Sequence, residues 1–309
     1  MKAVRYHRYG DSDVLVHEEA ETPVPGTGQV LVKVAATSFN PVDAAIRAGA
    51  LRDVFPLALP HVPGIDLAGT IAEAGPGVGR WQAGDAVVAF LPLDADGAAA
   101  EYALAPAEVL AAAPKTVDLA DAAALPSVGL TAWQALFDHA GLRSGQTILI
   151  NGAGGAVGGY AVQLARRAGA TVTATASPRS ADRLRDHGAD RLIDHTTTPV
   201  TDAGRRFDVV LNLVPTSPGE IAALAGLVAD GGALVSTTTP PPDDPGRGIR
   251  TTRVFALSKA DQLAGLVARV DAGELRIDVA ARRPLAELPA VHSDSDAGRL
   301  PGKTVLIPA

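Results

Sequence analysis

The chain contains no cysteine. Disulfides, thiolate nucleophiles and any Cys-ligated zinc site are therefore excluded. A basic surplus is missing too. There are 27 Lys and Arg against 34 Asp and Glu, a formal net charge of -7, and no run of basic residues occurs. Proteins that grip a nucleic-acid backbone usually carry a basic patch, so no nucleic-acid partner is expected. No stretch of about 18 apolar residues is available to span a bilayer. The opening residues, MKAVRYHRYG, lack the apolar core of a secretory signal. A soluble, cytoplasmic protein is the expectation. What is present suits a globular chain. The hydrophobic fraction is 47% and the charged fraction 20%, which supplies a core and argues against disorder. A length of 309 residues favours two domains over one.

The pattern changes along the chain. The first third carries short apolar runs at Val14-Val16, Val30-Val34, Ile65-Ile71 and Ala86-Leu91. Pro and Gly punctuate them, as in Pro23-Val24-Pro25-Gly26 and Gly75-Pro76-Gly77. Many short strands at this spacing predict a barrel or sandwich. The middle alternates strand and helix. Thr147-Asn151 reads as a strand and Val157-Ala168 as a helix with Val157, Ala161, Leu164 and Ala165 on one face. Thr171-Ala176, Arg191-Ile193, Phe207-Leu213 and Gly232-Thr237 read as further strands, with helices at Ala181-Asp186 and near Glu220-Ala229. Repeated βα units imply a parallel sheet covered on both faces. In the tail, Asp261-Asp271 reads as a helix with Leu263, Leu266, Val267 and Val270 as its apolar stripe, and Thr304-Ile307 as a strand. The tail no longer alternates, so it is expected to return to the first domain. Pro240-Gly248 reads as a loop.

The turn Asn151-Gly152-Ala153-Gly154-Gly155-Ala156-Val157-Gly158 sits between strand and helix, with another strand after the helix. That context suits a dinucleotide. Glycines let a pyrophosphate approach the backbone, and the helix N-terminus offers unpaired N–H groups and a positive dipole end. The next strand end selects the cofactor. NAD sites usually place an acid there for the ribose hydroxyls. Here the chain reads Thr175-Ala176-Ser177-Pro178-Arg179-Ser180, without an acid. Ser177 and Arg179 suit a 2′-phosphate instead, which favours NADPH; the alternative is that Arg179 is a plain exposed helix-start residue.

Together these motifs resemble the zinc-independent quinone oxidoreductase family of the medium-chain dehydrogenase/reductase superfamily. The landmarks are Asn40-Pro41-Val42-Asp43, Val62-Pro63-Gly64-Ile65-Asp66-Leu67-Ala68-Gly69, Gly84-Asp85, Leu125-Pro126-Ser127-Val128-Gly129-Leu130-Thr131-Ala132, the glycine turn, Gly188-Ala189-Asp190 and Gly298-Arg299-Leu300-Pro301-Gly302-Lys303. They run over nearly the whole chain. The resemblance implies an α/β protein with a GroES-like, β-rich catalytic domain (residues 1–118 and 261–309) and a Rossmann domain with a doubly wound parallel sheet (residues 119–260), the active site lying in the cleft. It implies reduction of quinones or activated carbon–carbon double bonds with NADPH, and a homodimer paired along the Rossmann sheet edge, for which Arg253-Leu257 is the candidate strand. Zinc-dependent relatives place a Cys where Asn40 stands and Gly-His-Glu where Gly64-Ile65-Asp66 stands, so both zinc sites are expected to be missing; no His cluster here has metal-ligand spacing either.

Carried over by position, Asn40 and Asp43 are expected near nicotinamide and substrate, with Asn40 as hydrogen-bond donor to the developing oxyanion and a cofactor ribose hydroxyl as the alternative. Asp43 is read as an orienting group, with the final proton coming from water. The cofactor set is Thr131, Gly152, Ala153, Gly154, Gly155, Ala156, Val157, Ser177, Arg179, His195, Asn212, Leu213, Val214, Ser236 and Thr237. His195 stands where relatives often carry a Tyr near the adenosine phosphate, and an exposed surface His is an equal reading. Ala45 stands where some quinone reductases carry a Tyr, so no phenol acid is expected there. Phe55, Leu57, Leu59 and Leu93 line the substrate pocket or belong to the core. Without a metal, hydride transfer must rely on orientation and hydrogen bonding. An enoyl reductase of a biosynthetic pathway, and a non-catalytic NADPH-binding redox sensor, are the alternatives.

Overall fold

The structure is a computed structural model that describes every residue except Pro245. The N-terminal part runs through β1 (Lys2–Tyr6), β2 (Leu15–Glu19), β3 (Gln29–Ser38), α1 (Pro41–Arg47), β4 (Asp66–Ala74), β5 (Ala86–Phe90), β6 (Tyr102–Pro106), β7 (Leu110–Ala112), α2 (Leu119–Ala122) and α3 (Pro126–Trp133). The middle follows with β8 (Thr147–Asn151), α4 (Ala156–Arg167), β9 (Thr171–Ala176), α5 (Pro178–Asp186), β10 (Arg191–Asp194), β11 (Phe207–Asn212), α6 (Pro218–Gly226), β12 (Val228–Ser236) and β13 (Arg250–Arg253). The tail adds α7 (Ala260–Asp271), β14 (Ala281–Pro284), α8 (Leu288–Asp296) and β15 (Thr304–Ile307). Two compact units result: Met1–Ser127 with Ser258–Ala309, and Val128–Leu257.

The first unit is β-rich. Its main sheet has the order β14-β15-β3-β4-β5-β7, with β6 also paired to β3. β3 carries the sheet because it pairs antiparallel with β4, β6 and β15. Val30, Val32 and Val34 of β3 pack with Leu67, Ile71, Val87 and Leu110 in one core cluster. Burying each such side chain contributes about 1.5–3 kcal/mol. The tail belongs to this unit through β15, where Val305 faces Ser38 and Leu306 faces Thr37. In α7 the stripe Leu263, Leu266, Val267 and Val270 is buried.

The second unit is a doubly wound parallel sheet of order β10-β9-β8-β11-β12-β13. All five ladders are parallel. Ile148, Leu149 and Ile150 of β8 are all inaccessible to solvent, as a strand covered on both faces requires. The strand order reverses beside β8, and such a switch point is where ligands bind in open α/β sheets.

Several local readings shift. The segment at Val14-Val16 opens with a 3-10 turn over Ser12–Val14, and the strand begins at Leu15. α6 runs Pro218–Gly226, earlier than the range near Glu220-Ala229, because Ser217 caps it and Glu220 closes a capping box. Val228 and Ala229 already belong to β12. Val157 is only half-buried, because it lies in the first turn of α4. The edge strand is Arg250–Arg253 rather than Arg253-Leu257. Val254 N–H still donates to Ser236 O (2.8 Å), and past it the Gln134 side chain takes the place of a strand partner for Leu257. Its Nε2 donates to Leu257 O (2.9 Å) and its Oε1 accepts the Leu257 N–H (2.9 Å). No helix or strand occurs among the described residues of the Pro240-Gly248 loop; Pro245 lies outside them.

Candidate active site

Two groups of predicted residues form, one in each unit. In the second unit, β8 ends at Asn151 and α4 begins at Ala156. Gly152 has φ +87°, and a Cβ there would meet Val214 Cγ1 at 2.6 Å. Its N–H donates to Thr175 Oγ1 (2.8 Å). At Gly158 a Cβ would come within 2.4 Å of Ala153 Cα, so α4 packs against the turn only because this residue lacks one. Gly155 differs. A Cβ there would meet nothing nearer than Gly152 O at 3.5 Å. No side chain caps α4, so its first-turn N–H groups remain available to an anion.

The neighbouring strand ends converge on this turn. Ser177 precedes α5, and its N–H donates to Ser180 Oγ (3.1 Å). Arg179 is exposed in the first turn of α5. His195 is exposed just past β10 and donates its N–H to Ala176 O (3.0 Å). Asn212 and Ser236 are fully buried. Asn151 Nδ2 donates to Asn212 Oδ1 (2.9 Å), and Asn212 Nδ2 donates to Val214 O (2.9 Å) and Ser236 Oγ (3.3 Å). These amides tie the C-terminal ends of β8, β11 and β12 together. Leu213 N–H donates to Asn151 O (2.9 Å) and Thr237 N–H to Asn212 O (3.0 Å), which continues the tie into the following loops. Thr131 lies part-buried on α3. Two residues here were not anticipated. Thr175 anchors Gly152, and Arg183 of α5 donates from Nη2 to Gly154 O (2.6 Å), bracing the turn from outside.

The first unit holds a buried polar centre around Asn40. Asn40 is the N-cap of α1 and is 5% exposed. Its N–H donates to Asp43 Oδ2 (2.9 Å). Its Nδ2 donates to Asp66 Oδ2 (2.9 Å) and Ser38 O (3.2 Å). Its Oδ1 accepts from Lys303 Nζ (2.7 Å) and Ser127 Oγ (3.1 Å). Lysine can only donate, which fixes which end of the amide faces it. Lys303 Nζ also donates to Asp66 Oδ2 (3.0 Å) and Phe39 O (3.3 Å). Both N–H bonds of the Asn40 amide are therefore engaged. The sequence reading of Asn40 as oxyanion donor needs a free N–H, whereas in this geometry both point at Ser38 O and Asp66 Oδ2.

Asp43 is 4% exposed. Its Oδ1 accepts the Gly64 N–H (3.2 Å). Burial pushes its carboxyl up to about 7; the Asn40 and Gly64 N–H groups and Lys303 pull it back, and Asp66 adds to the rise. Asp66, Ser127 and Lys303 were landmarks without assigned roles. The available signals were a lysine directly before the apolar Thr304-Ile307 strand and an aspartate at the head of β4.

The chain matches the family model for the alcohol dehydrogenase GroES-like domain over residues 26–115 and that for zinc-binding dehydrogenase over residues 187–306. It is 32% identical to the chloroplast envelope quinone oxidoreductase homolog of Arabidopsis thaliana, over 100% of this chain and 98% of that one. The chain belongs to the quinone oxidoreductase family of medium-chain dehydrogenases/reductases. It is 33% identical to the NADPH-dependent alkenal/one oxidoreductase, chloroplastic, of the same plant, over 100% of this chain and 80% of that one. The structure of the quinone oxidoreductase from Coxiella burnetii superimposes with a TM-score of 0.89 at 29% identity, covering 99% of both chains. As a member of this family the chain is an oxidoreductase that uses a nicotinamide cofactor and a small-molecule substrate.

Proposed function

We propose that the protein is an NADPH-dependent reductase of quinones or α,β-unsaturated carbonyls that transfers hydride directly, without zinc. The observation that carries the metal-free reading is the Lys303 ammonium in the Asn40 centre. Zinc needs about four N, S or O donors around it. Here Asn40 Oδ1 and Asp66 Oδ2 are already taken by an ammonium, Ile65 is apolar and no cysteine exists. These residues do not fit zinc. Among the described residues no group of three or more His, Cys, Asp or Glu could hold a metal.

The glycine turn suits a dinucleotide pyrophosphate, because Gly155, the N-cap of α4, presents no side chain and no side-chain hydrogen bond caps the helix. When bound, the nicotinamide supplies the hydride. Ser177 and Arg179 would hold a 2′-phosphate, with His195 beside them. Asn40, locked by Lys303 and Asp66, orients Asp43. The substrate class is supported by relatives named for quinones and for alkenals and enones. A cytoplasmic homodimer joined along β13 belongs to the same reading. β13 is the outer strand of its sheet, and Phe255 and Leu257 just beyond it are exposed. No helix is long and apolar enough to cross a membrane among the described residues.

A screen of NADPH oxidation over quinones, enones and enoyl thioesters tests the activity. Turnover of quinones or enones that survives a chelator is expected. Absence of turnover on every class would sink the reading, and loss of turnover on chelation would sink its metal-free part. Light scattering tests the dimer.

A further inference from the structure

Tyr6, Asp43 and His61 line one recess of the first unit, together with Ile46, Ile65 and Leu93. Tyr6 is fully buried, yet its hydroxyl has no hydrogen-bond partner among the described residues. Native proteins rarely leave a buried hydroxyl unpaired, and the usual remedy is an internal water. The recess has room for about one water molecule. A water also needs polar partners. Each Asp43 oxygen accepts one backbone N–H, from Asn40 or Gly64, and the carboxyl can still bond a water, as an O–H donor when protonated and as an acceptor when ionised. On another wall, the His61 ring stands edge-on to Tyr6 at 5.3 Å, and His61 Nδ1 lies 3.2 Å from Asp96 Oδ1. Asp96 is largely exposed, so this pair links the recess to solvent.

We propose that the recess is a water-binding site in which one water bridges the Tyr6 hydroxyl and the Asp43 carboxyl and carries protons between Asp43 and solvent. The bridge gives Asp43 a role the sequence did not assign. Resting on the reductase reading above, Asp43 supplies the one proton that balances the reaction. Hydride adds two electrons to a quinone or enone and leaves an anion. The Asp43 O–H bond breaks, a new O–H or C–H bond forms on the product, and the carboxylate recovers its proton through the water from solvent. The charged and titratable groups around Asp43 and Tyr6 are Asp66, Lys303, Arg47, Tyr9, His61 and Asp96. Burial holds Asp43 protonated up to about pH 7, so it can both give and recover a proton near neutrality.

The test uses the full chain without cofactor or substrate, so it stands or falls separately from the reductase reading. A high-resolution crystal structure should show one ordered water within hydrogen-bond distance of Tyr6 Oη and an Asp43 oxygen. Infrared titration should show one buried carboxyl C=O band, absent in Asp43→Asn, that disappears near pH 7. In Tyr6→Phe the water should vanish and the midpoint should rise by about 0.5–1 pH unit, because the carboxylate loses a donor. Exchange of that carboxyl proton into D2O should slow. An empty recess in the wild-type crystal, or identical titration and exchange in Tyr6→Phe, would overturn the proposal. The crystal arm needs no variant.

Discussion

The Asn40 centre and the glycine turn solve opposite problems. The Asn40 centre is closed: every N–H of the Asn40 amide and of the Lys303 ammonium is already spent on Asp66, Ser38, Phe39 and Asn40 itself. The glycine turn is open: its binding groups are backbone N–H donors kept free by the absence of side chains at Gly155 and of a cap on α4. One region is rigid because its polar groups are satisfied. The other leaves first-turn N–H groups of α4 without a side-chain cap, which is the condition an anion site needs. The first should respond to mutation mainly through stability and the second mainly through affinity.

The largest effect tests the closed region. Lys303→Met leaves the Asp66 carboxylate buried without its cation, which should cost about 3–5 kcal/mol in chemical denaturation. The double variant Lys303→Met, Asp66→Asn should recover part of that loss. A Lys303→Met protein as stable as wild type would show that the centre is not closed.

Next comes a pH effect in the same region. Asp43 has a raised folded pKa of about 7, so unfolded chains lose this proton first. Its contribution is favourable below the ordinary carboxylate range, falls as pH rises through that range to about 7, and is flat above. Relative to Asp43→Asn, the wild type should therefore lose stability between about pH 4 and pH 7, by on the order of 4 kcal/mol. Denaturant midpoints across that range measure it, and parallel curves for the two proteins would place Asp43 in an ordinary environment.

The open region should show binding effects of the next size. Arg179→Ala should weaken NADPH about 10–100-fold while leaving NADH nearly unchanged, with little change in stability. Equal losses for both cofactors would remove Arg179 from the phosphate site. Smallest in stability is Gly155→Ala, which should leave the melting temperature within a degree or two, since the new methyl makes only an ordinary van der Waals contact with Gly152 O. It should still lower affinity for both cofactors. Gly158→Ala is the control, because its methyl meets Ala153 backbone and must disturb the turn itself.

The same contrast explains what was readable in advance. β8, β9 and β15 match the strands read at Thr147-Asn151, Thr171-Ala176 and Thr304-Ile307, because short apolar runs bounded by turns carry their own signal. The glycine turn was legible because strand, turn and helix are contiguous. The edge strand was misplaced by a few residues, because β13 has no apolar run and is defined by its ladder with β12. The Asn40 centre was legible only as separate motifs. Lys303 lies 263 residues from Asn40 and 237 from Asp66, and no local pattern joins them.

The amino-acid sequence by itself determined the absence of cysteine chemistry, the βα alternation of the second unit and the strand–glycine turn–helix order at Asn151-Gly158. All three depend on residue type or on neighbours in the chain. The tertiary structure alone decided that both amide N–H bonds of Asn40 are engaged, that Arg183 braces Gly154, and that Tyr6 brings to the Asp43 recess a hydroxyl unpaired among the described residues. Those depend on which distant side chains meet once backbone pairing such as β3 with β15 is complete, and hydrogen-bond satisfaction is a property of that meeting.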